Sequence, residues 1–469
     1  MLAAAERFRL PVPNAPSLPS NTPLTRELGV GAITSLVVGE VVAVGIFLTP
    51  ATMARTLGSP MWLLLVWLLM GAMALSGALC YGELASRLPQ AGGGYVYLRE
   101  AYGRAIAFLY GWKCLLVMDP GITAALAVGL AGYVGYIASL SPAGEKLVAV
   151  VAILLAAGVN VAGVRFGARL MQWLTAFKLG ALALMAILAF SLGVGQWSHL
   201  LPFVAQRPGA TPLPGALAPA LVGAFFAFGG WWEIGKLAGE VREPSRTLPR
   251  ALVLGVVLVT AIYILTSAVF LYLIPLESVT SSETFAAQAG QALFGRTGGG
   301  ILACIVIGAV FGSLLALLMA LPRVYYAMAR DGVFLRGVAM SHARFGTPAR
   351  AIAIQATLAS VLVLLGTFNQ IVTYFVFVTV LFVGLTVAAL FVLRQRNGAA
   401  EFQTPGFPIT PIVFLLLVLV LLVLLAGHDP LQAALGVGIV ALGVPVYVVA
   451  FRGRADSLVR SYADPAADD

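Results

Sequence analysis

The chain has 469 residues, of which 60% are hydrophobic and only 10% charged, and its mean hydropathy is +0.98. That composition excludes a soluble globular domain and describes an all-α integral membrane protein with many spans. The net charge of +9 does not point to nucleic acid, because the basic residues cluster in short loops between apolar runs.

Residues 1–27 are polar and proline-rich (Pro11, Pro13, Pro16, Pro19, Pro23) and lack the apolar core of a cleavable signal peptide, so a disordered tail is expected. Apolar runs follow at approximately 28–49, 60–84, 105–138, 146–163, 170–194, 216–238, 249–274, 299–328, 351–367, 370–393, 409–427 and 431–451. These make about twelve transmembrane helices, and an even number puts both termini on one side. Arginine and lysine choose the side. One set of alternate connections carries Arg7, Arg9 and Arg26, then Arg87, Arg99 and Arg104, Arg165 and Arg169, and Lys236, Arg242, Arg246 and Arg250. The same set continues with Arg330, Arg336, Arg344 and Arg350, Arg394 and Arg396, and the terminal Arg452, Arg454 and Arg460. The opposite set has only Arg55, Lys146, Arg207 and Arg296. By the positive-inside rule both termini are cytoplasmic, in a multi-pass protein of the cell membrane, and the 196–215 and 276–298 connections lie outside.

The first span is interrupted at its centre, Gly39-Glu40-Val41-Val42-Ala43-Val44-Gly45-Ile46-Phe47. Glycine costs about 1 kcal/mol of helix propensity relative to alanine, and a mid-bilayer carboxylate costs a further few kcal/mol unless paired, hydrated or protonated. A plain anchor would carry neither. A broken helix that frees backbone N–H and C=O groups for a polar solute tolerates both; a close helix–helix contact through small residues is the alternative. The sixth span, five after the first, is interrupted at the corresponding place, Phe225-Phe226-Ala227-Phe228-Gly229-Gly230-Trp231-Trp232. Paired discontinuities of this kind point to a transport site near the midplane.

Three connections carry further patterns: Tyr81-Gly82-Glu83-Leu84-Ala85 leading through Pro89 to Gly92-Gly93-Gly94-Tyr95-Val96-Tyr97; Glu240-Val241-Arg242-Glu243-Pro244-Ser245-Arg246-Thr247-Leu248-Pro249-Arg250; and Arg323-Val324-Tyr325-Tyr326-Ala327-Met328-Ala329-Arg330-Asp331-Gly332. Singly, each reads as a helix end closed by Pro or Gly, the tyrosine-rich one as an interfacial or re-entrant segment. Together they resemble the amino acid–polyamine–organocation permeases, and within them the bacterial L-type-like amino acid transporters. The resemblance spans roughly residues 28–395. It implies a five-plus-five inverted repeat (about 28–194 and 216–393) with broken helices 1 and 6 at the substrate site. Two peripheral helices at 396–451 and a cytoplasmic tail at 452–469 complete the chain. The first break departs from the family's usual Gly-Ser-Gly-Ile-Phe: here Ala43-Val44-Gly45-Ile46-Phe47 allows less backbone freedom.

Six ionisable residues fall at membrane depth: Glu40, Lys113, Asp119, Lys178, Glu233 and Lys236. Glu40 is either a proton carrier or the ionised partner of a buried lysine. Glu233 and Lys236, three apart, suit an intrahelical pair of structural or gating role. Lys113 and Asp119 lie on nearly opposite faces of a straight helix, and Asp119 is expected to satisfy backbone freed by a kink at Pro120, or to be functional. Lys178 lies about 15 Å into the fifth span at 1.5 Å per residue. In related transporters a lysine here stands where sodium sits in sodium-coupled relatives. Carried over, it would bridge carbonyls of Gly39 to Val42 and the eighth span near Ser313; simple pairing with Glu40 is the alternative.

Cys80, Cys114 and Cys304 are isolated in apolar runs and expected to be buried, and with His199, His342 and His428 they offer no metal-ligand spacing. The glycines at 92–94 lack the Gly-Lys-Ser/Thr of a phosphate loop, so neither ATP nor a cofactor is implied. The reading is a secondary active amino acid transporter, sodium-independent and not an enzyme, working by alternating access within the lipid bilayer. The substrate carboxylate would meet N–H groups of Val44, Gly45 and Ile46, and its ammonium carbonyls near Gly39, Val41 and Phe228. Ala43, Gly229, Gly230 and Trp231 complete the site. Apolar Val44, Phe225, Phe228 and Trp231 favour a neutral side chain; Glu40 or Asp119 facing the cavity would favour a cationic amino acid or amine. A channel is the alternative from another class.

Overall fold

The computed structural model describes residues 26, 28–43, 45–90, 92–162, 167–279, 285–322 and 347–451, with Val324, Tyr325, Met328, Phe334 and Val338. The two tails expected at 1–27 and 452–469 lie outside these residues, apart from Arg26. Lipid offers the backbone no hydrogen-bond partner, so spanning segments close their own N–H and C=O groups in helices. In chain order these are α1 (Val30–Val41), α2 (Gly45–Leu57), α3 (Pro60–Arg87), α4 (Gly94–Tyr102), α5 (Arg104–Lys113), α6 (Asp119–Ala138) and α7 (Pro142–Val161). They continue with α8 (Gly167–Leu192), α9 (Leu213–Phe228), α10 (Pro244–Leu273), α11 (Phe285–Ala320), α12 (Ala349–Leu365), α13 (Phe368–Asn397), α14 (Ile409–His428) and α15 (Pro430–Ala450). Strand pairing among the described residues is one isolated bridge, Leu28 to Val241.

Each of the twelve apolar runs is helical over most of its described residues. Nine helices of the described residues are long and apolar enough to cross a membrane; α1 and α2, bent by 48°, form a tenth span, and Ala176–Leu192 and Ala349–Leu365 are shorter apolar helices. Two connections are more ordered than the sequence suggests. The tyrosine-rich segment after Gly93 is the short helix α4, closed between Gly93 at φ 53° and Gly103 at φ 86°. The first part of α11, from Phe285, lies in the connection read as an external loop, and turns into the eighth span at Phe294–Gly295. Cys80 and Cys114 are buried as expected, whereas Cys304 on α11 is exposed, its helix face carrying no partner among the described residues.

Small residues let the helices around the first and sixth spans approach closely. α10 packs along α3 and α1, and α2 along α9. A Cβ placed on Gly71 would lie 2.5 Å from Thr260 Oγ1, and one on Gly255 would lie 2.4 Å from Val37 Cγ1. A second group surrounds α6, which packs on α7, α11, α12 and α13. At the end of α3, buried Glu83 accepts from Arg87 Nε (3.0 Å), Arg394 Nε (2.8 Å) and Nη2 (2.5 Å), and the Thr404 amide (2.7 Å). The Arg394 guanidinium stacks 3.7 Å over the Phe407 ring. This cluster ties α3, α13 and the 398–408 connection together.

Candidate functional site

The site is built by two helix ends that face each other. α1 stops at Val41: Val42 N–H still bonds Val38 O (2.8 Å), but Ala43 N–H turns to Val41 O (2.7 Å). Gly39 O thereby loses its helical donor. Lys178, buried on α8, replaces it, its Nζ donating to Gly39 O at 3.2 Å. α9 stops at Phe228. Gly229 N–H bonds Phe226 O (3.1 Å), and Gly230, at φ 117°, turns the chain into the 3-10 helical segment Trp231–Glu240. A side chain is disfavoured at that φ, so the turn requires glycine. Ala227 O is orphaned in turn. The hydroxyl of Tyr263, fully buried on α10, reaches both breaks, 2.8 Å from Val41 O and 2.7 Å from Ala227 O. It has one proton to share between two carbonyls.

Opposite these carbonyls lie donors. The first N–H groups of α2 (Gly45, Ile46, Phe47) have no preceding helical carbonyl and sit at the positive end of the helix dipole. Aromatic rings enclose the break. Tyr263 contacts Trp67 (centroids 5.0 Å) and Phe228 (5.2 Å); Trp231 meets Tyr81 (5.1 Å) and Trp232 (5.4 Å), and Trp232 stacks on Phe225 (5.6 Å). All of these rings are buried. Glu40 is half-buried against the sixth-span break, where a Cβ on Gly230 would lie 3.0 Å from its Cγ. The arrangement can offer N–H groups to a carboxylate and carbonyls to an ammonium within an apolar shell.

Residues 28–451 match the amino acid permease family model. The chain belongs to the amino acid permease family. The permease is 31% identical to the large neutral amino acids transporter small subunit 2 of Homo sapiens over 444 residues, 93% of this chain and 82% of that protein. It is 29% identical to the serine/threonine exchanger SteT of Bacillus subtilis (90% of this chain, 96% of that protein) and 29% identical to the Asc-type amino acid transporter 1 of Mus musculus (90% and 81%). It is a multi-pass membrane transporter of amino acids.

The permease brings Gly39, Glu40, Val41, Ala43, Gly45, Ile46, Phe228, Gly229, Gly230, Trp231 and Lys178 to the facing breaks; Val44 lies outside the described residues. Val41 O accepts from Ala43 N–H and shares the one proton of Tyr263 with Ala227 O. Two expectations are refined. Gly45 is a packing residue as well as a break residue, since a Cβ there would lie 2.4 Å from Ala227 Cα. Ser313 donates to Ala309 O of its own helix (3.1 Å), and Lys178 meets Gly39 without it. Among the described residues no ion pair joins Lys178 to Glu40. Glu233 and Lys236 form the expected pair within the Trp231–Glu240 segment.

Lys113 and Asp119 are separated by a π-helical turn, Cys114–Met118. Pro120 cannot donate to Leu116 O, and Tyr374 Oη does so instead at 3.2 Å, so the role expected of Asp119 at the kink belongs to Tyr374. Lys113 Nζ contacts Met118 Sδ (3.0 Å) and lies 4.6 Å from the Tyr110 ring centroid. Sequence reasoning missed Tyr263 and Tyr374, and also Tyr133, whose hydroxyl donates to Phe47 O at 2.9 Å. The available signal was chemical: a tyrosine in an apolar run carries a hydroxyl that needs a partner.

Proposed function

We propose that the permease is a sodium-independent secondary transporter of neutral amino acids, permease or exchanger, working by alternating access. Residues 28–395 form the inverted-repeat core and α14 and α15 flank it. Supporting this is the pair of facing breaks, whose unmatched N–H groups and carbonyls lie inside a shell of aromatic rings. The carboxylate is held by the first N–H groups of α2 and the ammonium by the Phe228 carbonyl and the free lone pair of Gly39 O. Trp231 and Phe228 bound the side-chain pocket. Neutral side chains suit those rings, and the names of the relatives agree in class. Lys178 occupies the place of a coupling cation, so sodium is dispensable. Glu40, half-buried beside Gly230 with no ion pair among the described residues, supports a second reading, a cationic amino acid or amine.

Counterflow in proteoliposomes, with a panel of twenty amino acids competing against one labelled substrate, tests the assignment. Inhibition by neutral and not by basic amino acids is expected, unchanged when sodium is replaced. Flux that neither saturates nor shows counterflow would mark a channel instead. Gly229→Leu probes the break: its φ of −59° suits any residue, and the added bulk enters between Phe226 O and Trp232. Loss of binding in a folded protein is expected; unchanged affinity would move the site.

A further inference from the structure

Asp119 is the buried charge that the site does not use. It opens α6 directly after the π-helical turn, is fully buried, and among the described residues neither carboxylate oxygen has a hydrogen-bond partner. The nearby donors are committed elsewhere. Thr123 Oγ1 donates to the backbone carbonyl of Asp119 (2.7 Å), Gln355 Nε2 to Thr123 Oγ1 (3.0 Å), and Tyr325 Oη to Gln355 Oε1 (2.7 Å). Lys113 on α5 rests on Met118 Sδ and the rings of Tyr110 and Phe382. Lys236 is paired with Glu233.

The titratable groups around Asp119 come from several elements: Lys113 and Tyr110 of α5, Cys114 of the π-helical turn, Glu233 and Lys236 of the Trp231–Glu240 segment, and Tyr325 beyond α11. α12 supplies Gln355, and α13 supplies Tyr374, already bonded to Leu116 O. The other charges on the helices packed on α6 are engaged elsewhere or exposed: Glu145 of α7 lies against Gly135, Lys146 donates to Leu364 O, Arg394 of α13 joins Glu83, Arg396 donates to Ala101 O, and Arg296 of α11 and Arg350 of α12 are exposed. Among the described residues none places a donor on Asp119.

A carboxylate enclosed without a hydrogen-bond donor is disfavoured in a protein interior even with Lys113 and Lys236 in its field, whereas the neutral acid is tolerated. Protonation needs only solvent hydronium, which gives its proton to the carboxylate and leaves the carboxylic acid and water. Its electrostatic neighbours Glu233 and Lys236 ride on the segment that continues from the sixth-span break. A movement of that segment during transport changes the field at Asp119 and the access of water to it. A ligand that binds one conformation better shifts the equilibrium, and the same holds for a proton.

We propose that Asp119 is a proton-binding site of the permease, occupied in the conformation described and emptied when the helices around α6 separate, so that amino acid movement is coupled to a proton. The proposal rests on the transporter reading and moves the proton carrier from Glu40 to Asp119.

Two measurements on the full chain in lipid vesicles test it. Infrared spectra of the wild type should show the carbonyl band of a buried protonated carboxyl, lost in Asp119→Asn. An amino acid gradient should drive proton movement, read by a trapped pH dye, in the wild type, and that movement should be lost in Asp119→Asn while exchange of labelled substrate continues. An unchanged band in Asp119→Asn, or wild-type amino acid flux without protons, overturns the proposal. Should Asp119→Asn fail to fold, Asp119→Glu must retain the band at a shifted position and retain proton movement; loss of both overturns it. A band lost in Asp119→Asn, with no amino acid flux in the wild type, supports the proton site and overturns the transport reading instead.

Discussion

At the scale of single residues, the breaks depend on side chains that replace lost helical hydrogen bonds. Tyr263 serves a carbonyl from each broken span and Lys178 serves Gly39 O. Removing one partner of a buried hydrogen bond leaves the other desolvated, at about 1–3 kcal/mol. Tyr263→Phe keeps the ring contacts with Trp67 and Phe228 but strands Ala227 O; its melting temperature in detergent should fall accordingly, with slower exchange in vesicles. Val41 O retains Ala43 N–H, so a loss well above that range would mean that the ring had moved too. Lys178→Ala should slow transport sharply while substrate binding persists, because Lys178 joins α8 to α1 rather than lining the aromatic pocket. Normal turnover in that variant, or strong sodium stimulation of the wild type, would remove the lysine from the mechanism.

At the scale of elements, charge holds helix ends that apolar packing leaves open. Glu83 joins α3, α13 and the 398–408 connection through three partners. Glu83→Ala leaves Arg87 and Arg394 uncompensated, and breaking such a buried network costs about 3–5 kcal/mol. A melting temperature equal to wild type would show that the arginines find other acceptors. At the opposite end of the molecule, buried Arg207 donates to Pro202 O, His199 O, Leu201 O and Glu277 Oε1, folding the 196–212 connection onto the start of the 276–278 turn. Its own backbone N–H and the Arg207 guanidinium hold the Glu277 carboxyl below its ordinary value. A carboxyl so lowered contributes stability that is present above its unfolded value and lost as pH falls through the folded one. Thermal stability should therefore fall on acidification, slightly less so in Glu277→Gln, the effect being small because Glu277 is mostly exposed. The spans and both breaks were legible from apolar runs and glycine placement. The π-helical turn before Pro120 was not, since periodicity registers that a proline must bend a helix but not which neighbour takes the freed carbonyl.

At the scale of the whole molecule, orientation follows from the distribution of arginine and lysine. The 196–215 and 276–298 connections should face outside. Arg296 is exposed and suits a single cysteine in a Cys-free background, whereas Arg207 is buried and bonded, so exposed Ala205 is the better partner. Both should react with an impermeant thiol reagent in intact cells; labelling only after permeabilisation would reverse the orientation. The family was legible because its loop motifs and the two glycine breaks stand in one order along the chain. The Tyr263 bridge between the breaks and the tight seat of Gly45 on Ala227 were not, because both depend on distances between segments about two hundred residues apart in sequence.

The Glu83 cluster has a consequence for where the molecule can be cut. Its amide donor, Thr404, belongs to the stretch that follows α13, and Phe407, beneath the Arg394 guanidinium, lies in the same stretch. A minimal version ending at 396 would remove both and uncover an acidic group inside α3. One ending after Phe407 and before α14 would keep them. The linker leading to the two flanking helices is therefore not an accessory. Trimmed variants that retain 398–408 should melt higher than those ending at 396, and both lower than the full chain, in which Phe414 is buried against Gly77 of α3.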